Sequence, residues 1–229
     1  MSDVQQPAAA VSAHKCKEEG KGWTGFLASE ELKYLGAITT SKERTNSPNG
    51  TSVFFVDSLE GIRNLIAALS QSPAVPPSIY IDLEGVNLGR EGQISILQIY
   101  ICPRDEVFLV DIHTLGAKAF DHAAHDGTTL RSMLELLSIP KVFFDVRNDS
   151  AALFHQYHVE LAGVHDLQVM ELGTRTHSGK FLTGLGKCIS RDVPMTAAEK
   201  ARFLATKELG KALFSGRCQK KYIDILYKT

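Results

Sequence analysis

The chain has 229 residues, of which 44% are hydrophobic and 22% charged, and a formal net charge of −1, all ordinary for a globular protein with one sizeable core. No apolar run reaches the roughly 18 residues of a membrane-spanning helix, and the N-terminal residues lack the basic start and apolar run of a secretory signal. The four cysteines lie far apart without a CxxC pair, which argues against disulfides or a zinc knuckle and for a reducing, intracellular setting. We expect a cytoplasmic or nuclear protein with no membrane partner.

The first part of the chain divides into a leader and the start of a folded domain. Residues 1–50 are rich in Ala, Ser, Lys, Glu and Gly and lack sustained periodicity, so we expect a disordered or weakly structured leader with one short helix over 26–38. The β-rich apolar run TSVFFVDS, which begins at Thr51, predicts a strand. Ser58 then predicts the N-cap of an amphipathic helix over 59–71.

Three apolar segments separated by short loops follow a proline-rich connector. They span 78–84, 93–101 and 106–113, and their short connections predict an antiparallel meander. Later segments predict a short strand over 141–146 and helices over 128–138, 148–159, 167–175, 182–190 and 196–213, with caps at Asn148, Asp166 and Thr196–Glu199. Strands first and helices after, with a crossover helix between them, predict an α/β fold with a mixed sheet flanked by helices.

Charge is distributed unevenly along the chain. Residues 187–229 contain ten basic and four acidic side chains, so the preceding part is acidic. An acidic body with a basic end is compatible with a metal site in the body and phosphate contacts at the end. The alternative is a solvated helical surface, and charge alone favours that alternative.

The sharpest chemical feature is Asp82-Leu83-Glu84 at the end of an apolar strand. Strand side chains alternate, so Asp82 and Glu84 share one face, with Cα atoms roughly 6.6 Å apart. Two carboxylates on a buried strand raise each other's pKa, and a divalent cation that coordinates both removes that penalty. Oxygen-only ligands suit Mg²⁺ or Mn²⁺. The alternative, in which one carboxylate caps a loop and the other faces water, has about equal weight on spacing alone.

Asp149 is a second candidate ligand. It follows a short strand and lies in the first turn of a predicted helix, in the segment KVFFDVRNDSAALF. Acidic residues near helix N-termini are ordinary capping chemistry, so Asp149 alone indicates little. If its strand lies beside the strand of Asp82 and Glu84, the three carboxylates form one cluster.

Two segments carry a resemblance to a known family. SIYIDLEGVNLGREGQISILQIY and KVFFDVRNDSAALFHQYHVEL resemble the DEDD 3′–5′ exonucleases, specifically the ribonuclease D and Werner-type domains and most closely the Egalitarian-like 3′–5′ exonuclease-domain proteins. The segment LTGLGKCIS after HDLQVMEL is similar to this family's later helices. The resemblance runs over residues 51–214 and leaves 215–229 as an atypical basic tail.

The resemblance implies a ribonuclease-H-like sheet and metal-dependent hydrolysis of phosphodiesters from the 3′ end of single-stranded RNA or DNA. By position, Asp82, Glu84 and Asp149 match the family's catalytic, metal-binding carboxylates. In the two-metal mechanism, Mg²⁺ or Mn²⁺ ions activate the nucleophile and steady the leaving oxygen. Asp82 would bridge both metals, Glu84 would hold the nucleophile-side metal, and Asp149 would hold the leaving-group metal.

The family's third motif, Tyr-x₃-Asp or His-x₄-Asp, is missing. No Tyr or His after Asp149 has an Asp at the required spacing; Asp224 follows Tyr222 by only two residues. We therefore expect a domain cut short or given a different C-terminal end, and a weak or inactive exonuclease. Two alternatives stay open: a catalytically inactive nucleic-acid-binding or scaffold protein, and an α/β interaction domain in which the two strand carboxylates are coincidental.

Overall fold

A seven-stranded mixed sheet runs through the centre of the protein, in the strand order β1-β2-β5-β4-β3-β6-β7. The computed structural model describes residues 45–46, 50–75, 77–176 and 180–214. The expected helix over 26–38 and the tail 215–229 lie outside the described residues. The strands are β1 (Thr45–Asn46), β2 (Ser52–Val56), β3 (Ile79–Val86), β4 (Gln93–Ile101), β5 (Glu106–Asp111), β6 (Lys141–Phe143) and β7 (Val164–Asp166).

The central strands form the antiparallel meander predicted from the sequence. Strand β4 pairs antiparallel with both β3 and β5, whereas β2 pairs parallel with β5. On the other side of β3, β6 and β7 are added in parallel. Strand β1, which pairs antiparallel with β2, lies in the stretch expected to be a leader. The α/β fold with a mixed sheet is therefore confirmed.

Helices cover the sheet, and most of the helices predicted from the sequence are present. None of those in the described part of the chain is long and apolar enough to cross a membrane. A 3₁₀ turn (Cys102–Arg104) joins β4 and β5. The α-helices are α1 (Leu59–Ser70), α2 (Ile112–Leu115), α3 (Lys118–Asp121), α4 (Leu130–Glu135), α5 (Arg147–Tyr157), α6 (Leu167–Thr174), α7 (Leu185–Asp192) and α8 (Ala197–Phe214).

The alternation of side chains along β3 separates two cores. Ile81 and Leu83 point into the larger core, which α1, α4 and α5 help to fill. Tyr80 belongs to a smaller core on the opposite face, against which Leu167 of α6 packs. Because side chains of a strand alternate between faces, Asp82 and Glu84 project on the side of Tyr80.

Most predicted caps are present, but the start of α5 differs from the prediction. Ser58 accepts a hydrogen bond from the Gly61 backbone, and Thr196 and Glu199 form the reciprocal bonds of a capping box. The predicted cap at Asn148 is wrong, because α5 begins at Arg147 and its N-cap residue, Val146, makes no side-chain capping bond. The turn before α5 is instead held by hydrogen bonds to a side chain that is distant in sequence.

Candidate active site

Strand β3 places two carboxylates beside each other on one face. Asp82 is paired with Gln98 and Glu84 with Ile96 of the neighbouring strand β4. Both carboxylates are half-buried, whereas Leu83 between them is buried in the opposite core. The sheet therefore presents two acidic groups at the point where β3 approaches its end.

A β-bulge follows Glu84 immediately. The register between β3 and β4 shifts between Glu84 and Gly85, and the strand continues to Val86 rather than ending at Glu84. A Cβ atom on Gly85 would lie only 2.1 Å from the backbone oxygen of Gln93. Bulges bend a strand and redirect its side chains. Glycine at this position therefore allows β4 to approach closely where the acidic pair is presented.

Replacing Gly85 with alanine is expected to lower the free energy of unfolding by about 2 kcal/mol or more, because a backbone atom must move to admit the new methyl group. Urea denaturation measures this loss. The matched control is Gly173→Ala in α6, where a Cβ meets nothing within 4 Å. There the helix preference for alanine predicts a gain of about 0.5–1 kcal/mol. Equal effects of the two substitutions would contradict the close approach at Gly85.

Helix α5 brings the third carboxylate to the same place. Asp149 lies in the first turn of α5 and is only 6% exposed. Its Oδ1 atom accepts a hydrogen bond of 3.1 Å from the backbone N–H of Leu83. This bond fixes the start of α5 directly on β3, between Asp82 and Glu84. Asp82, Glu84 and Asp149, called here the acidic cluster, are thus neighbours in space.

The turn that leads into α5 is held by Asp166 at the end of β7. One oxygen of Asp166 accepts from the backbone N–H of Asp145 at 3.0 Å and the other from Val146 at 3.2 Å. The same side chain caps α6 through the Gln168 backbone at 2.9 Å, as predicted. Asp145 has a left-handed φ of 66°, which makes the turn tight. Asp166 therefore holds the turn that positions the start of α5 and, with it, the side chain of Asp149.

Burial raises the pKa of every member of the acidic cluster, and repulsion between carboxylates adds to this for Glu84 and Asp149. Burial raises the pKa of Glu84 to about 8, and repulsion from Asp82 and Asp149 adds to this effect. Burial, followed by repulsion from Asp82, raises the pKa of Asp149 to about 7. The pKa of Asp82 rises through burial to about 6, against the opposing effect of Lys207. The three groups compete to be ionised and behave as one electrostatic unit.

The side chains of the acidic cluster are not arranged as a ready-made metal site. Among the residues that the structure describes, no three His, Cys, Asp or Glu side chains are grouped closely enough to hold a metal ion. The described ion pairs also include none of the three carboxylates. The electrostatic coupling and the Asp149–Leu83 bond show that the three groups are neighbours.

The sequence patterns missed two residues of this region. Lys207 of α8 is close enough to lower the pKa of Asp82 and Glu84, and α8 packs against β3. Its signal in the sequence is weak: it lies one helical turn after the apolar Phe203. Asp166 was expected to be only a helix cap, because nothing local reveals its bonds to a turn twenty residues earlier.

Comparison with known families agrees with the fold and the position of these carboxylates. The sequence model of the 3′–5′ exonuclease family matches residues 53–186, which is more than half of the chain. The chain therefore belongs to the 3′–5′ exonuclease family. Within that family, the resemblance to DEDD-type domains noted in the sequence is confirmed.

Curated relatives match part of the chain. It is 37% identical over 108 residues to the piRNA biogenesis protein EXD1 of Mus musculus, a match over 47% of this chain and 17% of the relative. The Xenopus laevis EXD1 is 33% identical over 135 residues, or 57% of this chain and 28% of that protein. The matches thus span less than a third of these relatives' lengths.

A solved structure supports the same fold. Trypanosoma brucei RNase D in complex with RNA U12 has a TM-score of 0.53 and 22% sequence identity, over 77% of this chain and 71% of that one. This similarity concerns the fold, and it confirms the ribonuclease-H-like arrangement of the mixed sheet and its flanking helices.

Proposed function

We propose that this chain carries a divalent-metal-dependent 3′–5′ exonuclease site acting on single-stranded RNA or DNA, in the cytoplasm or nucleus, and that its cleavage activity is weak. Membership of the exonuclease family supports the reaction class. The observation that carries the proposal is the meeting of three buried or half-buried carboxylates from β3 and α5. Such a meeting is costly unless a cation compensates the negative charge.

The chemistry of the acidic cluster fits Mg²⁺ or Mn²⁺. Its donors are carboxylate oxygens, which these hard cations prefer, and raised pKa values mark groups that gain from a nearby positive charge. Asp82, Glu84 and Asp149 would hold the metal. When bound, it would polarise the scissile phosphate and favour the ionised form of an attacking water. The hydrogen bond from Leu83 would keep Asp149 oriented while this happens.

The missing third motif supports weak turnover. Within residues 150–229, no Tyr or His has an Asp at the family's spacing. Such groups orient the attacking water and add a carboxylate ligand, and general-base and positioning groups are typically worth about 10²–10⁴-fold in rate. Because these losses affect the transition state, they lower turnover more than nucleic-acid binding.

A catalytically inactive nucleic-acid-binding or scaffold protein is the second candidate. The missing motif favours it over an efficient enzyme. The name of the curated relatives, piRNA biogenesis protein EXD1, and the RNA bound to the structural neighbour both direct the test toward RNA. Both candidates bind nucleic acid, and they differ in whether any trimming depends on the acidic cluster.

The test is an assay of 5′-labelled single-stranded RNA and DNA with Mn²⁺, comparing the unmodified chain with the double variant Asp82→Ala/Glu84→Ala. Slow removal of 3′ nucleotides that disappears in the double variant supports the weak exonuclease. Binding without any cluster-dependent trimming supports the scaffold. Absence of both binding and trimming would refute the two candidates together and leave an interaction domain with a coincidental acidic pair.

A further inference from the structure

Helix α8 presents a basic side chain to the acidic cluster. The helix is anchored by Lys200, whose Nζ donates a 2.6 Å hydrogen bond to the backbone oxygen of Ser190 at the end of α7. Phe203, one turn later, is only 9% exposed and is part of the core. Lys207 follows after one more turn, so the three side chains lie along one face of the helix.

The stem of Lys207 lies over a glycine of α7. Its Cδ and Cε atoms are 3.7 and 3.9 Å from the point that a Cβ on Gly186 would occupy. A side chain at position 186 would therefore meet the stem, so Lys207 lies close above this glycine. The Lys207 side chain is half-buried, and α8 packs on the strand that carries Asp82 and Glu84.

The ammonium group of Lys207 is near the acidic cluster but is not directly paired with its carboxylates. Its positive charge lowers the pKa of Asp82, where only burial has a larger effect. It also lowers the pKa of Glu84, where it is the smallest of the four effects. Yet within the described part of the chain no carboxylate oxygen forms an ion pair with Lys207 within 4.0 Å. Lys207 instead retains donors for another anion.

We propose that Lys207 is a substrate-positioning residue that contacts a backbone phosphate of the nucleic acid beside Asp82 and Glu84. The proposal rests on the proposed function, since it requires nucleic acid at this edge of the sheet. The physical need is clear: a cluster of carboxylates repels a phosphate, and a lysine at its border supplies an attractive contact that fixes the strand without reading its sequence.

The experiment measures binding by fluorescence anisotropy, using a single-stranded RNA 12-mer with a non-hydrolysable 3′-terminal linkage, in Mn²⁺ at several salt concentrations. Lys207→Met is expected to weaken binding about tenfold and to reduce the slope of log affinity against log salt by about 0.7, the value for one phosphate contact on a single strand. Lys207→Arg should retain most of the affinity. The charge-matched control is Lys187→Met, an exposed lysine on α7, for which we expect a smaller effect on both quantities.

A second measurement separates this role from simple neutralisation of the acidic cluster. Mn²⁺ affinity, followed by calorimetry without RNA, should be unchanged or tighter in Lys207→Met, because a competing positive charge is removed. Tighter Mn²⁺ binding with unchanged RNA affinity and salt slope would overturn the proposal and leave Lys207 as a counter-ion. Failure of the unmodified chain to bind RNA would instead refute the proposed function and, with it, this contact. Thermal unfolding of each variant verifies that it is folded.

Discussion

Glu84→Gln is expected to stabilise the metal-free protein at about pH 8 and to remove most of the stabilisation that Mn²⁺ provides. Burial and two neighbouring carboxylates raise the pKa of Glu84 to about 8, so its ionised form is costly in the folded state. Glutamine has a similar shape and no charge to desolvate. It therefore relieves the repulsion but removes a ligand from the cation.

The direction of the pH dependence follows from the same pKa values. The folded-state pKa values of Asp82, Asp149 and Glu84, about 6, 7 and 8, all lie above the ordinary values of these groups. The folded protein therefore binds protons more tightly than the unfolded chain, and this contribution to stability is lost as pH rises through 6 to 8. We expect the free energy of unfolding to fall by roughly 5 kcal/mol or more between about pH 5 and pH 8, because each group that the folded state keeps protonated costs about 1.4 kcal/mol per pH unit. The slope should be shallower in Glu84→Gln.

Mn²⁺ should reverse this trend, because it binds the ionised carboxylates and stabilises only the folded state. Urea denaturation at three pH values, with and without Mn²⁺, measures both effects. The matched control is Glu91→Gln, the same chemical change at an exposed loop residue, which should leave the pH slope and the Mn²⁺ effect unaltered. Identical pH slopes for the unmodified chain and Glu84→Gln would show that Glu84 does not bear the raised pKa.

Local pattern was sufficient for much of the fold. The apolar run of β4 over 93–101 has the predicted bounds, and short loops correctly indicated the antiparallel pairing with β3 and β5. Ser58 was correctly identified as a helix cap because its bond reaches only three residues along the chain. These features depend on alternation, turn length and capping, which adjacent residues determine.

Features that depend on distant contacts could not be predicted in this way. The start of α5 was misplaced because Asp166, not Asn148, holds the preceding turn. Strand β3 extends past Glu84 because Gly85 permits a bulge against Gln93. The sequence suggested three carboxylates in one cluster, but neither the hydrogen bond from Leu83 to Asp149 nor the position of Lys207 can be inferred from spacing.

The largest expected effect concerns the missing third motif. Replacing residues 215–229 with a helix that carries Tyr-x₃-Asp is expected to increase 3′ trimming by about 10²-fold or more. The added Asp would supply a fourth carboxylate, and the added Tyr would orient the attacking water. Asp82, Glu84 and Asp149 are already neighbours, so the gain should appear in turnover rather than in affinity for the nucleic acid.

The controls for this gain use the same extended chain. Changing the added Tyr to Phe or the added Asp to Asn should return trimming to the level of the unmodified chain, and Asp149→Asn should abolish the recovered activity because it removes a charge from the acidic cluster. Labelled single-stranded RNA and DNA with Mn²⁺ provide the measurement. Rapid trimming by the unmodified chain, absent in Asp82→Ala/Glu84→Ala, would contradict the prediction and indicate that another group, such as Asp224, already replaces the missing ligand.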